Sequence, residues 1–262
     1  MSETVTLSRD GATAYLTLNR PEIHNAFDDA LIAELTAQLR DLNQDARVRA
    51  VVLTGTGKSF SAGADLNWMS RMAAYTEAEN RADALALADL METLDTLRKP
   101  VIGRIQGSAF GGGVGLVACC DLVVAAEHAR FALPEVRLGL IPAAIAPYVL
   151  AAMGERAARR YFISGERFDA ATAAQLGLVH QTAPAEELDA AVNRWLEGVL
   201  SNGPRAMAEA KALVRTVAEA PRDDDLRRQT ADWIAALRVG DEGQEGLNAF
   251  LEKRAPQWQQ PS

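Results

Sequence analysis

Residues 107–121 read Gly-Ser-Ala-Phe-Gly-Gly-Gly-Val-Gly-Leu-Val-Ala-Cys-Cys-Asp, a glycine cluster that runs directly into a small, apolar stretch of helical character. Three consecutive glycines let the backbone turn sharply and bring bare N–H groups against a ligand. The helix that follows leaves its first amides unpaired and adds partial positive charge at that end. Together these features predict a cradle for developing negative charge. No Lys or Arg stands within the cluster, so the charge it suits is small, an oxyanion rather than a phosphate. Taken alone, a run of this kind fits tight helix–strand packing equally well.

Around the cluster the pattern is that of an α/β chain. Residues 12–19 alternate small or apolar with polar side chains, as a half-buried strand does. Leu31, Leu35, Leu39 and Leu42 fall on one face of a helix predicted over 28–42, and 50–54 is a short buried-strand run. A long helix is predicted over 77–98, with Leu87, Leu90, Met91, Leu94 and Leu97 as its apolar stripe. Strands are predicted at 101–105 and 122–126, and strands separated by helices argue for an α/β core. Beyond about residue 154 the chain becomes helical and rich in Ala and Arg, with Pro204 and Pro221 as candidate helix starts. The expected organisation is one α/β core over 1–200 and a helical C-terminal region over 201–262.

At 262 residues the chain can bury a substantial core. A net charge of −8 offers no global field to draw in nucleic acid or an anionic membrane. No apolar stretch approaches the roughly 20 residues that span a bilayer, and the N-terminus lacks the basic-then-apolar pattern of a signal peptide. Cys119 and Cys120, adjacent in an apolar run, are expected to be reduced and buried, which points to a cytoplasmic protein. The three histidines are widely spaced and form no Cys/His ligand pattern, so no metal is expected.

Three segments can carry chemistry: residues 59–66 (Ser-Phe-Ser-Ala-Gly-Ala-Asp-Leu), the glycine cluster, and residues 131–135 (Phe-Ala-Leu-Pro-Glu). The first two are small-residue loops leading into predicted helices, each able to offer a backbone N–H to one carbonyl oxygen. The second loop is what favours a ligand role for the glycines over packing. Glu135 follows a stiffening proline, and a buried carboxylate with a raised pKa suits proton transfer. The alternative for Glu135 is a solvated or salt-bridged surface carboxylate. Trp68 and Met69 are pocket candidates that fit core filling at least as well, and Asp121 is expected to cap or end the helix after Cys120.

These residues, with Asn19-Arg20-Pro21, Asn25-Ala26, Lys99-Pro100-Val101-Ile102, Cys120-Asp121 and the 245–254 tail, resemble the crotonase superfamily, the enoyl-CoA hydratase/isomerase family, over nearly the whole chain. The resemblance implies a spiral of repeated ββα units with a helical C-terminal trimerisation region, assembled as trimers or dimers of trimers. It implies an acyl-CoA thioester as substrate, with no cofactor beyond the coenzyme A that the substrate brings. Ala64 and Gly112 would supply the amides that hold the thioester oxygen, and Glu135 the acid/base. The backbone around Ala62, Asp65 and Leu66 would hold coenzyme A, and Phe250 and Lys253 would approach a neighbour's coenzyme A. Trp68, Met69, Gly111, Gly115, Pro134 and Pro142 would line the acyl pocket.

The chain departs from the two-glutamate hydratases of that family at Gly115, where they carry the other glutamate. Gly115 then either makes room for substrate or water, or allows close helix packing. A substrate carboxylate near Gly115 is one conceivable replacement for the missing group, and Arg71 and Arg104 are candidates to meet a distal carboxylate. Asn67-Trp68-Met69, Ala118-Cys119-Cys120-Asp121 and the 141–148 segment resemble the branch that hydrates methylglutaconyl-CoA and isohexenylglutaconyl-CoA. The expected activity is therefore hydration of a 3-branched glutaconyl-CoA. An enoyl-CoA isomerase, which needs one base only, is the nearest alternative. A non-catalytic acyl-CoA- or RNA-binding member is the alternative of another class, disfavoured by the acidic 77–98 helix.

Overall fold

Alternation along the central strands places apolar side chains on both faces of one sheet, so layers must cover it on both sides. The computed structural model describes residues 4–259; the outermost residues of the two predicted regions, 1–3 and 260–262, lie outside the described residues. The chain opens with β1 (Val5–Asp10), β2 (Thr13–Leu18) and α1 (Asp29–Gln44). A unit of two strands and helix then repeats. The first is β3 (Ala50–Gly55), β4 (Ser59–Ser61), α2 (Leu66–Met72) and α3 (Glu77–Asp95). The second is β5 (Val101–Ile105), β6 (Ser108–Phe110) and α4 (Gly112–Ala118), and the third is β7 (Leu122–Ala126), β8 (Arg130–Ala132) and α5 (Ala146–Ser164). β9 (Phe168–Asp169), α6 (Ala170–Gln175), β10 (Gln181–Ala183) and α7 (Leu188–Leu200) complete the layers. Helices α8 (Pro204–Glu219), α9 (Asp224–Val239) and α10 (Asp241–Leu251) follow.

The first strand of each unit joins a six-stranded sheet, β1-β2-β3-β5-β7-β10, and the second joins a four-stranded sheet, β4-β6-β8-β9. Pairing is parallel except for β1 with β2 and β8 with β9. Val51, Leu53, Val101, Ile105, Val123 and Ala125 are buried in one core with leucines of α1 and α3. Their sequence neighbours Ala50, Val52, Ile102, Val124 and Ala126 lie in a second core with Leu188, Ala191, Val192 and Leu196 of α7. Full burial of a Val or Leu side chain contributes about 1.5–3 kcal/mol, so this alternation fixes which face each helix covers.

Local chemistry sets the helix starts. Asp28 caps α1 through the Leu31 amide at 2.8 Å. Thr76 and Glu79 form a reciprocal capping box on α3. Pro204 is the first residue of α8, as predicted, but Pro221 starts no helix. Asp223 caps α9 instead, accepting from the Asp225 and Leu226 amides, while Pro221 sits in the preceding turn. The predicted 77–98 helix ends at Asp95. Asp121 caps no helix: its carboxylate accepts the Val101 amide at 2.7 Å and pairs with Lys211 of α8 at 2.8 Å, tying that helix to the sheet. Both cysteines are free and buried. Among the described residues no helix is long and apolar enough to cross a membrane.

Candidate active site

Strands β4, β6 and β8 are parallel neighbours, so their C-terminal ends lie side by side at one edge of the small sheet. Each of the three segments singled out in the sequence leaves from one of these ends: Ala62–Asp65 after β4, Gly111–Gly113 after β6, and Leu133–Glu135 after β8. Parallel strands place loops of distant sequence together in this way, and open α/β sheets bind ligands there.

The first amide is exposed by a bridge. Phe27 donates to Gly63 O at 2.7 Å and accepts from the Asp65 amide at 2.7 Å, an isolated parallel bridge to Ala64. Both bonds run through the neighbours of Ala64, so the Ala64 N–H faces away from Phe27. The second amide belongs to Gly112, the first residue of α4, which has no intrahelical acceptor. Among the described residues neither amide donates to an acceptor.

Gly111 adopts φ 51°, ψ −121° as the α4 cap, a conformation reserved for glycine. A Cβ there would stand 3.1 Å from Glu135 Oε1 and 3.9 Å from Gly63 Cα, so all three loops meet at this point. Glu135 opens a 3-10 turn behind Pro134. Its Oε2 is buried without a hydrogen-bond partner. Burial pushes the Glu135 carboxyl above its ordinary 4.5, against a smaller downward pull from its own backbone amide. The arrangement offers two open N–H donors to an oxyanion and one poorly solvated carboxylate to carry a proton.

The remaining predicted residues divide. Pro134 adjoins Glu135, and Pro142 is buried in the segment after the 3-10 turn. Met69 is half-buried on α2. Trp68 belongs to the core, its Nε1 donating to Asp83 at 3.0 Å. The Asp65 side chain is committed to capping α2 through the Asn67 and Trp68 amides, whereas Ala62 and Leu66 are exposed. Phe250, 82% exposed, and Lys253 belong to another layer, at the end of α10, which packs on α8 and α9. Arg71 and Arg104 are engaged with Asp29 and Asp189, each at 2.5 Å, instead of standing ready for a carboxylate.

Gly115 offers no room for water or a substrate carboxylate. A Cβ there would overlap Ile145 Cγ2 and stand 2.9 Å from Ile145 Cβ and 3.2 Å from Met91 Cε. Ile145, just ahead of α5, fills the volume in front of Gly115, so close packing is the reason for this glycine. Gly115→Ala is expected to destabilise the protein by about 1–3 kcal/mol through overpacking. In urea melts, Gly115→Ala combined with Ile145→Ala should cost less than the sum of the two single changes; strict additivity would show that the two side chains do not compete for one space.

Sequence reasoning passed over Phe27 and gave Asn25 and Ile145 no structural role. A usable signal existed for Phe27: an apolar residue just before the Asp28 cap, with Ile32 five positions later, is a hydrophobic staple. Asn25 is fully buried with φ 54°; its Nδ2 donates to Thr56 O and Ser59 O at 2.9 Å, and its Oδ1 accepts the Arg20 amide at 2.8 Å. This network pins the segment that leads into Phe27.

Paired open amides facing a buried carboxylate define the class of site that stabilises an enolate or tetrahedral oxyanion. The chain matches the enoyl-CoA hydratase/isomerase family over residues 8–261, and it belongs to that family of enzymes. An enoyl-CoA hydratase of Shewanella pealeana is 45% identical, covering 98% of this chain and 96% of that one, with a TM-score of 0.95. An enoyl-CoA hydratase/isomerase of Marinobacter aquaeolei is 38% identical over 98% of this chain and 99% of its own, with a TM-score of 0.92. The 2,3-dehydroadipyl-CoA hydratase of Escherichia coli is 34% identical, covering 98% of each chain.

Proposed function

We propose that this protein adds water across the double bond of a 2-enoyl-CoA, with a 3-branched glutaconyl-CoA as its acyl substrate. The observation that carries the reading is the pair of open amides, Ala64 and Gly112, set against the buried, partnerless Oε2 of Glu135. Glu135, ionised, takes a proton from water as the hydroxyl adds to C3 and the electrons move to the thioester oxygen. The two amides hold that oxygen as an enolate. Glu135 then returns the proton to C2, so one carboxylate serves first as base and then as acid and ends unchanged. No cofactor enters this scheme beyond the coenzyme A of the substrate.

Two features support a dicarboxylic acyl chain: the residues shared with the glutaconyl-CoA branch, and a relative named for a dicarboxylic acyl-CoA. Val239, Leu247, Phe250 and Leu251 are exposed on α9 and α10, which supports the 201–262 region as a contact between copies in a trimer or dimer of trimers. In that arrangement Phe250 and Lys253 would reach a neighbour's coenzyme A. The free, buried cysteines support a cytoplasmic setting.

One observation favours a second reading. With Ile145 packed over Gly115, position 115 adds no second carboxylate to Glu135, and a single base is enough to move a double bond. An assay of 3-methylglutaconyl-CoA, crotonyl-CoA and a 3-enoyl-CoA, followed by absorbance of the conjugated thioester, separates these. Loss of conjugation is expected to be fastest with 3-methylglutaconyl-CoA. Equal rates with crotonyl-CoA would refute the acyl assignment, and conjugation of the 3-enoyl-CoA without hydration would establish the isomerase.

A further inference from the structure

We propose that Phe27 is a positioning residue that sets the spacing between the Ala64 and Gly112 amides; this rests on reading those amides as the oxyanion donors. Phe27 touches both. Its backbone N–H and C=O bond to Gly63 and Asp65 at 2.7 Å each, gripping Ala64 from both sides. The Cδ2–Cε2 edge of its ring abuts the other donor's residue: a Cβ on Gly112 would stand 2.5 Å from Phe27 Cε2 and 2.7 Å from Cδ2. The ring is 1% exposed, so nothing but protein holds it.

The geometry gives the ring a distinct task. Hydrogen bonds are directional, and two donors serve one oxygen only when their separation is held to a fraction of an ångström. One donor comes from the loop after β4 and the other from the start of α4, both beyond the last paired residues of the β4–β6 ladder. The Phe27 side chain runs from the bridge at Ala64 to Gly112 as a rigid spacer. Behind it the chain is anchored by the buried Asn25, by Arg20 bonded to Ala26 O at 2.9 Å, and by the Arg20–Asp28 pair at 2.8 Å. A flexible or shorter side chain would leave Gly112 free to settle toward Ala64. The fit of α4 to its neighbours also explains the residue at position 112, since any side chain there would displace the ring.

The test uses Phe27→Leu and Phe27→Met, the second closer to phenylalanine in volume and so a safeguard should the first fold poorly. Kinetics on 3-methylglutaconyl-CoA and crotonyl-CoA are paired with the carbonyl stretch of crotonyl-CoA bound to each variant carrying Glu135→Gln, which blocks turnover. A misplaced donor is expected to lower kcat about 10–100-fold while KM and the dissociation constant of crotonyl-CoA change less than about threefold. The red shift of the bound carbonyl should shrink in step. Unchanged kcat and an unchanged carbonyl shift in a folded variant with a lowered Tm would make Phe27 core filling only and overturn the proposal. Absence of any red shift in the Glu135→Gln parent would overturn the amide pair itself, and the spacer with it, a result distinct from the first.

Discussion

Glu135→Gln is expected to lower turnover about 10²–10⁴-fold while leaving acyl-CoA affinity nearly intact. Glutamine keeps the shape and fills the same space but can neither take a proton from water nor return one to carbon. Position 115 offers no substitute carboxylate, because it is a glycine packed under Ile145. The pH profile carries a second signature. Burial raises the Glu135 pKa above 4.5, so kcat/KM should fall on the acid side at a higher pH than an ordinary glutamate would give. Stability moves in the opposite sense from activity. Between the unfolded and folded pKa values the native state binds more protons than the unfolded state, so stability declines as pH rises through that window. Above it the wild type carries a buried charge that glutamine lacks. Glu135→Gln should therefore raise Tm at neutral pH and lose that advantage at acid pH, below the unfolded value. A variant less stable than wild type at neutral pH would mean that the carboxylate has an ionic partner in solution.

Ala64→Pro is expected to lower kcat about 10²–10³-fold, since it removes one oxyanion donor and little else, a loss of about 2.7–4 kcal/mol in transition-state stabilisation. The bridge to Phe27 should survive, because its two hydrogen bonds use Gly63 O and the Asp65 amide instead of any group of Ala64. Ala64→Gly, which retains the N–H, is the control and should keep most of its activity. Far-UV circular dichroism and Tm report whether the loop still folds. A folded Ala64→Pro protein with wild-type kcat would remove this amide from the mechanism.

The central strands of the larger sheet, β2, β3, β5 and β7, were legible because they are long enough to show a pattern, whereas β1 and the three-residue β10 at its edges were not read. Val51 to Leu53 and Val123 to Ala125 are read as buried strands from composition alone, and the α1 leucines from their spacing. The smaller sheet was not. β4, β6 and β8 have three residues each, too few for alternation to register, and β9 has two. Yet those short strands are what bring the three loops to one edge. Sequence could recognise two amide-bearing loops and one carboxylate by residue type; only the β4-β6-β8 order makes them neighbours. Gly115 was ambiguous for a related reason. Whether a glycine opens space or admits a neighbour depends on a residue elsewhere, here Ile145, thirty positions along the chain. Asp121 was misjudged because its partner Lys211 lies ninety residues away.

The packing of Ile145 on Gly115 has a consequence for how this lineage can change. Introducing a glutamate at 115 first would drive it into Ile145. Trimming Ile145 to alanine first would open a cavity costing about 2–5 kcal/mol, a large part of the ~5–15 kcal/mol that holds a domain folded. Each order of substitution crosses a poorly folded ancestor before any gain in catalysis arrives. The glycine at 115 is thus sheltered from drift by a steric ratchet, and placing a carboxylate there requires both codons to change together or a stabilising change elsewhere to come first.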